Sequence, residues 1–363
     1  MAKRLLLRNG LVNGALTDVL CEDGKISKIT EGGLCEADGA QILELDGAKL
    51  YPGLIDIHSH GAVGSDTTRE SVERLADWYL ENGTSTWYPT TMTEPFESVE
   101  DVCALGTDFG HGANVPGYHL EGPFVSVKYK GAQNPDYIKM PTTELLDRCK
   151  NARIITVAPE LEGAIEFIKQ ATERYGVVVA LGHTDAGYDL GVEAFEAGAK
   201  SITHTFNAMK GIHHRDPAII GAGADMGAYA QLIADGVHVH PSAVRLIYKL
   251  YGADRITLIS DSVAPTGMAD GEYTLGGLRT IVKDGVARLP EGNLAGSTTP
   301  LVKCVKSAVA MGIPEADAFK MASTTPAELM GLNKGKIEVG YDADFCIVDN
   351  ELNLIKAIAR GEI

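Results

Sequence analysis

The spacing of apolar positions changes twice along the chain. Up to about residue 50 they come in short alternating runs, Leu5–Arg8, Asp18–Cys21, Lys25–Thr30 and Gln41–Asp46, with Asn9-Gly10, Asn13-Gly14 and Asp23-Gly24 between them. Strand side chains alternate faces, and Asn-Gly and Asp-Gly tolerate the positive φ of two-residue hairpins. The runs therefore predict small strands joined by tight turns. The stretch from Gly335 to Ile363 has the same character. Since both ends are short-stranded and the middle is not, the pattern predicts one small β-sandwich domain built from residues 1–52 and 336–363.

Residues 53–335 alternate strand with helix. The predicted strands are Leu54–His58, Thr84–Pro89, Val115–Leu120, Ile154–Ala158, Val177–Leu181, Ser201–His204, Gln231–Ala234 and Ile256–Ser260. The predicted helices are Ser71–Glu81, Glu144–Asn151, Ala164–Tyr175, Tyr188–Ala197, Pro241–Tyr251 and Pro300–Met311. Strands each followed by a helical pattern imply a parallel (β/α)8 TIM barrel. One insertion, Tyr273–Leu289, reads as a hairpin turning at Asp284-Gly285, as a lid or as an edge of the sandwich.

A length of 363 residues suits one large barrel plus a satellite, and 45% hydrophobic residues supply its core. The net charge of −17 argues against nucleic acid as a partner, because phosphate backbones call for excess Lys and Arg. Six cysteines without CxxC spacing suit reduced thiols in a cytoplasmic protein rather than a disulfide framework or zinc ribbon. Met1-Ala-Lys-Arg-Leu-Leu-Leu-Arg8 lacks the apolar run of a signal peptide, and no stretch is long and apolar enough to span a bilayer.

The chemistry gathers at strand ends. In Leu54-Ile-Asp-Ile-His-Ser-His-Gly61, His58 and His60 are two apart and share a face. Glu121 ends the third strand, His183 the fifth, His204 the sixth and Asp261 the eighth, while His238 lies just beyond the seventh. Any one of them has a structural reading: a satisfied core histidine, or a carboxylate capping a helix. Together they mark the C-terminal rim, where barrels hold their active sites. Imidazole and carboxylate suit Zn2+, Fe2+ or a similar ion, which acidifies bound water and polarises a carbonyl. Asp261 is placed to take the water proton and pass it to a leaving group. That machinery hydrolyses an amide or ester.

These residues resemble the amidohydrolase superfamily and, within it, the deacetylases of N-acetylglucosamine 6-phosphate. The resemblance rests on Pro52-Gly-Leu-Ile-Asp-Ile-His-Ser-His-Gly61, His119-Leu-Glu-Gly-Pro-Phe124, Ala158-Pro-Glu160, Gly182-His-Thr184, His204-Thr-Phe-Asn-Ala-Met209, Asp235-Gly-Val-His238, Ser260-Asp-Ser-Val-Ala-Pro265 and Leu294-Ala-Gly-Ser297. It implies that Glu121, His183 and His204 hold the principal divalent metal, zinc or iron, and that His58 and His60 hold a second. It implies Asp261 as general base and then acid, and His238 as a group polarising the acetyl carbonyl. Asn207, Ala208 and Arg215 would contact the sugar phosphate, the arginine from a neighbouring subunit, which implies a homodimer. Arg215 has support of its own, since guanidinium matches phosphate bidentately, and the N–H groups of Asn207 and Ala208 suit a small anion nest.

Where the family usually has Gly-Ala-His contacting the sugar, this chain has Gly131-Ala132-Gln133, an uncharged donor and acceptor. That leaves galacto- beside gluco-configuration open, along with an unphosphorylated amino sugar. A cyclic amide, an N-acyl amino acid, and a non-catalytic binding protein are the other readings. Retention of Asp261 speaks against the last.

Overall fold

The structure, a computed structural model, describes residues 3–363 except 38 and 108. Met1 and Ala2, at the head of the segment read for an export signal, lie outside the described residues. The chain opens with β1 (Arg4–Val12), β2 (Ala15–Glu22) and β3 (Lys25–Glu31), antiparallel and turning at Asn13-Gly14 and Asp23-Gly24, followed by β4 (Gln41–Glu44) and β5 (Lys49–Pro52). All four turn residues have positive φ, as a type I′ hairpin requires.

Asn9-Gly10, in contrast, is not a turn. β1 runs through it, and the register against β2 slips between Leu7 and Gly10. Asn9 sits at φ 58° and its N–H donates to Asp18 Oδ1 at 2.9 Å, so the extra residue is absorbed as a bulge. The sheet forks there. Leu5–Arg8 pair in parallel with β4, and Leu11 with β5.

From β6 (Leu54–Ser59) the chain enters the barrel. A short ribbon, β7 (Gly61–Ala62) and β8 (Ser65–Asp66), and α1 (Val72–Glu81) lead to β9 (Thr84–Thr91) and α2 (Phe96–Cys103). Then come β10 (Tyr118–Glu121), α3 (Glu144–Arg148), β11 (Ala152–Val157), α4 (Ala164–Glu173), β12 (Val178–Leu181), α5 (Tyr188–Glu196) and β13 (Ser201–Ile202). α6 (Ala218–Asp225), β14 (Tyr229–Ile233), α7 (Pro241–Tyr251) and β15 (Ile256–Ile259) complete the alternation. The eight strands pair in parallel in sequence order. Across the seam, the N–H of Asp261 donates to the carbonyl of His58 at 2.9 Å and Ser260 Oγ donates to Asp56. Ile154 and Ile155 fall in different apolar clusters, as the alternation of a strand buried on both faces demands.

After β15 the insertion forms β16 (Gly271–Leu275), β17 (Leu278–Lys283) and β18 (Val286–Arg288), a separate three-stranded antiparallel sheet. The turn at Asp284-Gly285 falls where the sequence places it, and a second turn at Gly276-Gly277 makes a meander of the expected hairpin. It does not pair with the terminal sheet, so it is no sandwich edge. Leu275, Val282, Ala287 and Leu289 pack on Met92 and Val263 of the barrel.

α8 (Leu301–Ala310), α9 (Glu315–Ala322) and α10 (Thr324–Met330) follow. The chain then returns to the terminal sheet through β19 (Phe345–Val348), antiparallel to β5, and β20 (Leu354–Ile358). One core, with Leu5, Leu7, Val19, Leu50, Phe345 and Ile358, draws on both arms of the fork. Among the described residues no helix is long and apolar enough to cross a membrane. All six cysteines are buried and free.

Candidate active site

Six side chains of a kind that can ligate a cation converge beyond the strand ends. His58 lies in β6, His60 just after it, and Glu121 is the last residue of β10; His183, His204 and Asp261 each stand two residues past the last residue of β12, β13 and β15. At those three the backbone turns through positive φ, 49°, 27° and 49°. None is glycine, so each turn costs on the order of 1 kcal/mol. That strain is held at the positions whose side chains must leave the strand direction and meet.

The meeting is close. Glu121 Oε1 lies 3.1 Å from His58 Nε2, 3.2 Å from His183 Nε2 and 3.0 Å from His204 Nε2. Glu121 Oε2 lies 3.2 Å from His60 Nε2, and Asp261 Oδ1 lies 3.4 Å from His60 Nε2 and 3.6 Å from His58 Nε2. The donors form two groups, His58 with His60 and Asp261, and Glu121 with His183 and His204, all buried.

The outer nitrogens show what the inner ones do. His58 Nδ1 meets Gln231 Oε1 at 2.9 Å, His60 Nδ1 meets the Thr90 carbonyl at 3.2 Å, and His183 Nδ1 meets the Tyr129 carbonyl at 2.9 Å. Each partner is an acceptor, so Nδ1 carries the proton and Nε2 turns its lone pair inward. Yet the Nε2 atoms of His58 and His60 are 3.2 Å apart, and those of His183 and His204 are 3.0 Å apart. For His58 and His60, whose outer nitrogens are both held, lone pairs so placed repel unless positive charge lies between them; His204 Nδ1 has no partner among the described residues to hold its tautomer. The donor set therefore fits a divalent cation.

The electrostatics agree. Burial opposes charge on Glu121 and Asp261, but the surrounding imidazoles hold Glu121 well below the usual carboxylate range and Asp261 below it. Burial likewise opposes charge on His60, which Asp261 and Glu121 hold up to about 10.

His238 stands apart from this group. Its Nδ1 meets Asp235 Oδ2 at 2.7 Å; Asp235 Oδ1 accepts the N–H groups of Val237 and His238, both at 2.9 Å, and Oδ2 also accepts Ser297 Oγ at 3.0 Å. The ring is fixed with Nε2 free to face the cavity.

That cavity, about 380 Å3, is lined by His60, Glu121, His183, His204, His238 and Asp261. Ala132, Gln133, Asn207 and Ala208 line it as well. Gln133 is buried with both amide ends engaged: Nε2 donates to Glu121 Oε2, and Oε1 accepts the N–H of Thr93 at 2.7 Å. The nest expected at Asn207 and Ala208 is reduced, because the Asn207 N–H already donates to the His204 carbonyl at 2.9 Å.

Arg215 is not in the cavity of its own chain. It is exposed, pairs with His214 Nε2 at 2.8 Å, and lines a separate hollow beside Tyr188 and Asp216. Lys128 and Tyr129, which lie outside the motifs, also line the cavity, as do Phe206 and Leu294, which lie within them without an assigned role. Lys128 had a signal: with Lys130 it places two cations in the loop after Glu121 of an acidic chain.

Barrel, rim and donor set together place a candidate cation site at a barrel mouth, the arrangement of a metal-dependent hydrolase. A sequence profile of the amidohydrolase family matches residues 50–363, and the chain belongs to that family. It is 38% identical over 361 residues to N-acetylglucosamine-6-phosphate deacetylase of Lysinibacillus sphaericus, covering 95% of this chain and 92% of the relative. It is 34% identical over 381 residues to N-acetylgalactosamine-6-phosphate deacetylase of Escherichia coli O157:H7, covering 100% and 98%. The crystal structure of N-acetylglucosamine-6-phosphate deacetylase from Pasteurella multocida superposes with a TM-score of 0.92 at 29% identity, covering 100% of this chain and 99% of that one.

Proposed function

We propose that the protein hydrolyses the acetamide of N-acetylglucosamine 6-phosphate, releasing acetate and glucosamine 6-phosphate, as a step in amino-sugar catabolism. The observation that carries the reading is the meeting of His60, Glu121, His183, His204, Asp261 and His238 at one cavity, with His58 packed behind His60 and Glu121. Glu121, His183 and His204 would hold the principal ion, zinc or iron, and His58 and His60 a second. A divalent cation there supplies Lewis acidity, acidifying water and polarising the carbonyl.

The chain's own residues do the rest. Asp261 accepts the proton of the attacking water and returns it to the departing sugar nitrogen. His238, fixed by Asp235 and in its protonated form, donates Nε2–H to the carbonyl oxygen as it gains negative charge. Asn207 and Ala208 face the sugar phosphate, Ala132 and Gln133 flank the sugar, and Arg215 reaches the phosphate of the partner site in a homodimer. We read the two structural units as residues 1–52 with 336–363, and 53–335, and the setting as cytoplasmic.

The full-length likeness to the galactosamine enzyme favours a second substrate, N-acetylgalactosamine 6-phosphate. The test is acetate release from both sugar phosphates, with metal bound and after chelation. Turnover by fully metal-free protein would sink the mechanism.

A further inference from the structure

We propose that the β16–β18 meander limits the length of the acyl group the site accepts, with Leu275 and Met92 as its gauge. The proposal rests on the amide-hydrolysis reading above and adds what faces the acyl tail.

The cavity wall has two characters. Beside His183 and His204 it carries Lys128 and Asn207; beside His60 and Asp261 it is apolar, made of Met92, Val263 and Leu275. The apolar part adjoins the reacting groups. Val263 follows Asp261 by two residues, and Met92 Sδ lies 3.9 Å from Gln133 Nε2, the amide bound to Glu121.

This wall has little slack. Leu275 is 1% exposed, Val263 0% and Met92 7%, and they pack in one cluster with Val282 and Leu289 of the meander. The tip of the meander is tied down where the N–H of Gly276 donates to Asp66 Oδ2 at 3.1 Å. A Cβ on Gly276 would stand 3.3 Å from Met92 Cγ, so the tip lies directly on that side chain.

Chemistry orients the substrate. The scissile carbonyl belongs between Asp261 and His238, and the hydroxyl-rich sugar extends over the polar side, with Ala132 and Gln133 at the border between the two walls. The remaining substituent on the carbonyl carbon then meets the apolar wall. A methyl group fits beside it, and each further methylene meets packed side chains. A methylene in a close hydrophobic site discriminates by about 10–200-fold.

The experiment compares kcat/KM of the metal-loaded enzyme for N-acetyl-, N-propionyl- and N-butyryl-glucosamine 6-phosphate, read as free amine. The wild type is expected to lose about tenfold or more per methylene. Leu275→Ala is expected to shrink the acetyl-to-propionyl ratio by about tenfold. Met92→Ala, outside the meander, is expected to act in the same direction and keeps the test decisive if the first variant does not fold. Equal wild-type rates on all three substrates, or folded variants that keep the wild-type ratio, overturn the gauge and leave amide hydrolysis standing. No turnover of any acylated sugar phosphate by the loaded wild type overturns the parent reading and the gauge with it.

Discussion

Gln133 Nε2 donates to Glu121 Oε2 while the backbone N–H of Thr93 holds Gln133 Oε1. One amide thus fixes the plane of the carboxylate whose other oxygen meets three imidazoles. Partners that orient a ligand are worth roughly 10–100-fold in metal affinity. Gln133→Leu is expected to weaken the cation by that factor, measured by competition against a chelator on folded protein. Unchanged affinity would remove Gln133 from the support of the site.

His238 makes the pH dependence specific. Burial opposes its charge, and Asp235 more than offsets burial, so the imidazolium persists above its ordinary value of 6.5. The activity it supports is full at lower pH and falls as pH rises through the raised value. Asp235→Asn removes the carboxylate and is expected to move the alkaline limb of kcat/KM to lower pH. The stability from the His238 side of this pair has the same sign, lost as pH rises through its raised folded value, while the Asp235 side, held below 3.8, is lost as pH falls through its lowered one. A limb that stays put in Asp235→Asn assigns it to another group.

Arg215 separates phosphate recognition from chemistry. It is exposed and lies outside its own chain's cavity, so in the proposed dimer it acts in the partner's site. Arg215→Ala is expected to raise KM for the 6-phosphate by about tenfold or more, the scale of one charge-assisted contact, while leaving an unphosphorylated acetyl sugar unaffected. Sedimentation of the same samples establishes whether the dimer exists.

Asp18 bears on stability alone. Its carboxylate accepts the N–H groups of Asn9 at 2.9 Å, Gly33 at 3.0 Å and Cys35 at 3.0 Å. Burial opposes its charge, but these donors and Arg8 hold its pKa below the ordinary 3.8. Its contribution is present above that value and lost as pH falls through the lower folded one. Asp18→Ala strands three N–H donors, that of Cys35 buried, and is expected to cost about 2 kcal/mol, read by urea unfolding at pH 7, with kcat unchanged.

Pattern and tertiary packing divided the helices between them. α7 runs over Pro241–Tyr251 as its pattern predicts, because His240 accepts the Ser242 N–H and Pro241 suits the first turn. α6, Ala-Ile-Ile-Gly-Ala-Gly-Ala-Asp, gave no amphipathic signal. Its Ala218, Ile219, Ile220, Ala222 and Gly223 are all buried, and Gly191 of α5 lets it pack closely. α10 carries Pro326 and two threonines, a poor helical sequence that burial of Ala327 and Leu329 sustains.

The chain by itself determined the alternation that closes the barrel, the β character of both ends, and the residue types waiting at each strand end. These are local properties, because period and side-chain chemistry are written one residue at a time. Only the tertiary structure decided that six of those side chains share one site, that Asn9 is a bulge and not a turn, that Gln133 serves Glu121, and that the meander lies against the cavity. Such relations join residues as far apart as His58 and Asp261. Strand register and the left-handed turns at His183, His204 and Asp261 set their distances, and packing fixes both, which no stretch of sequence carries alone.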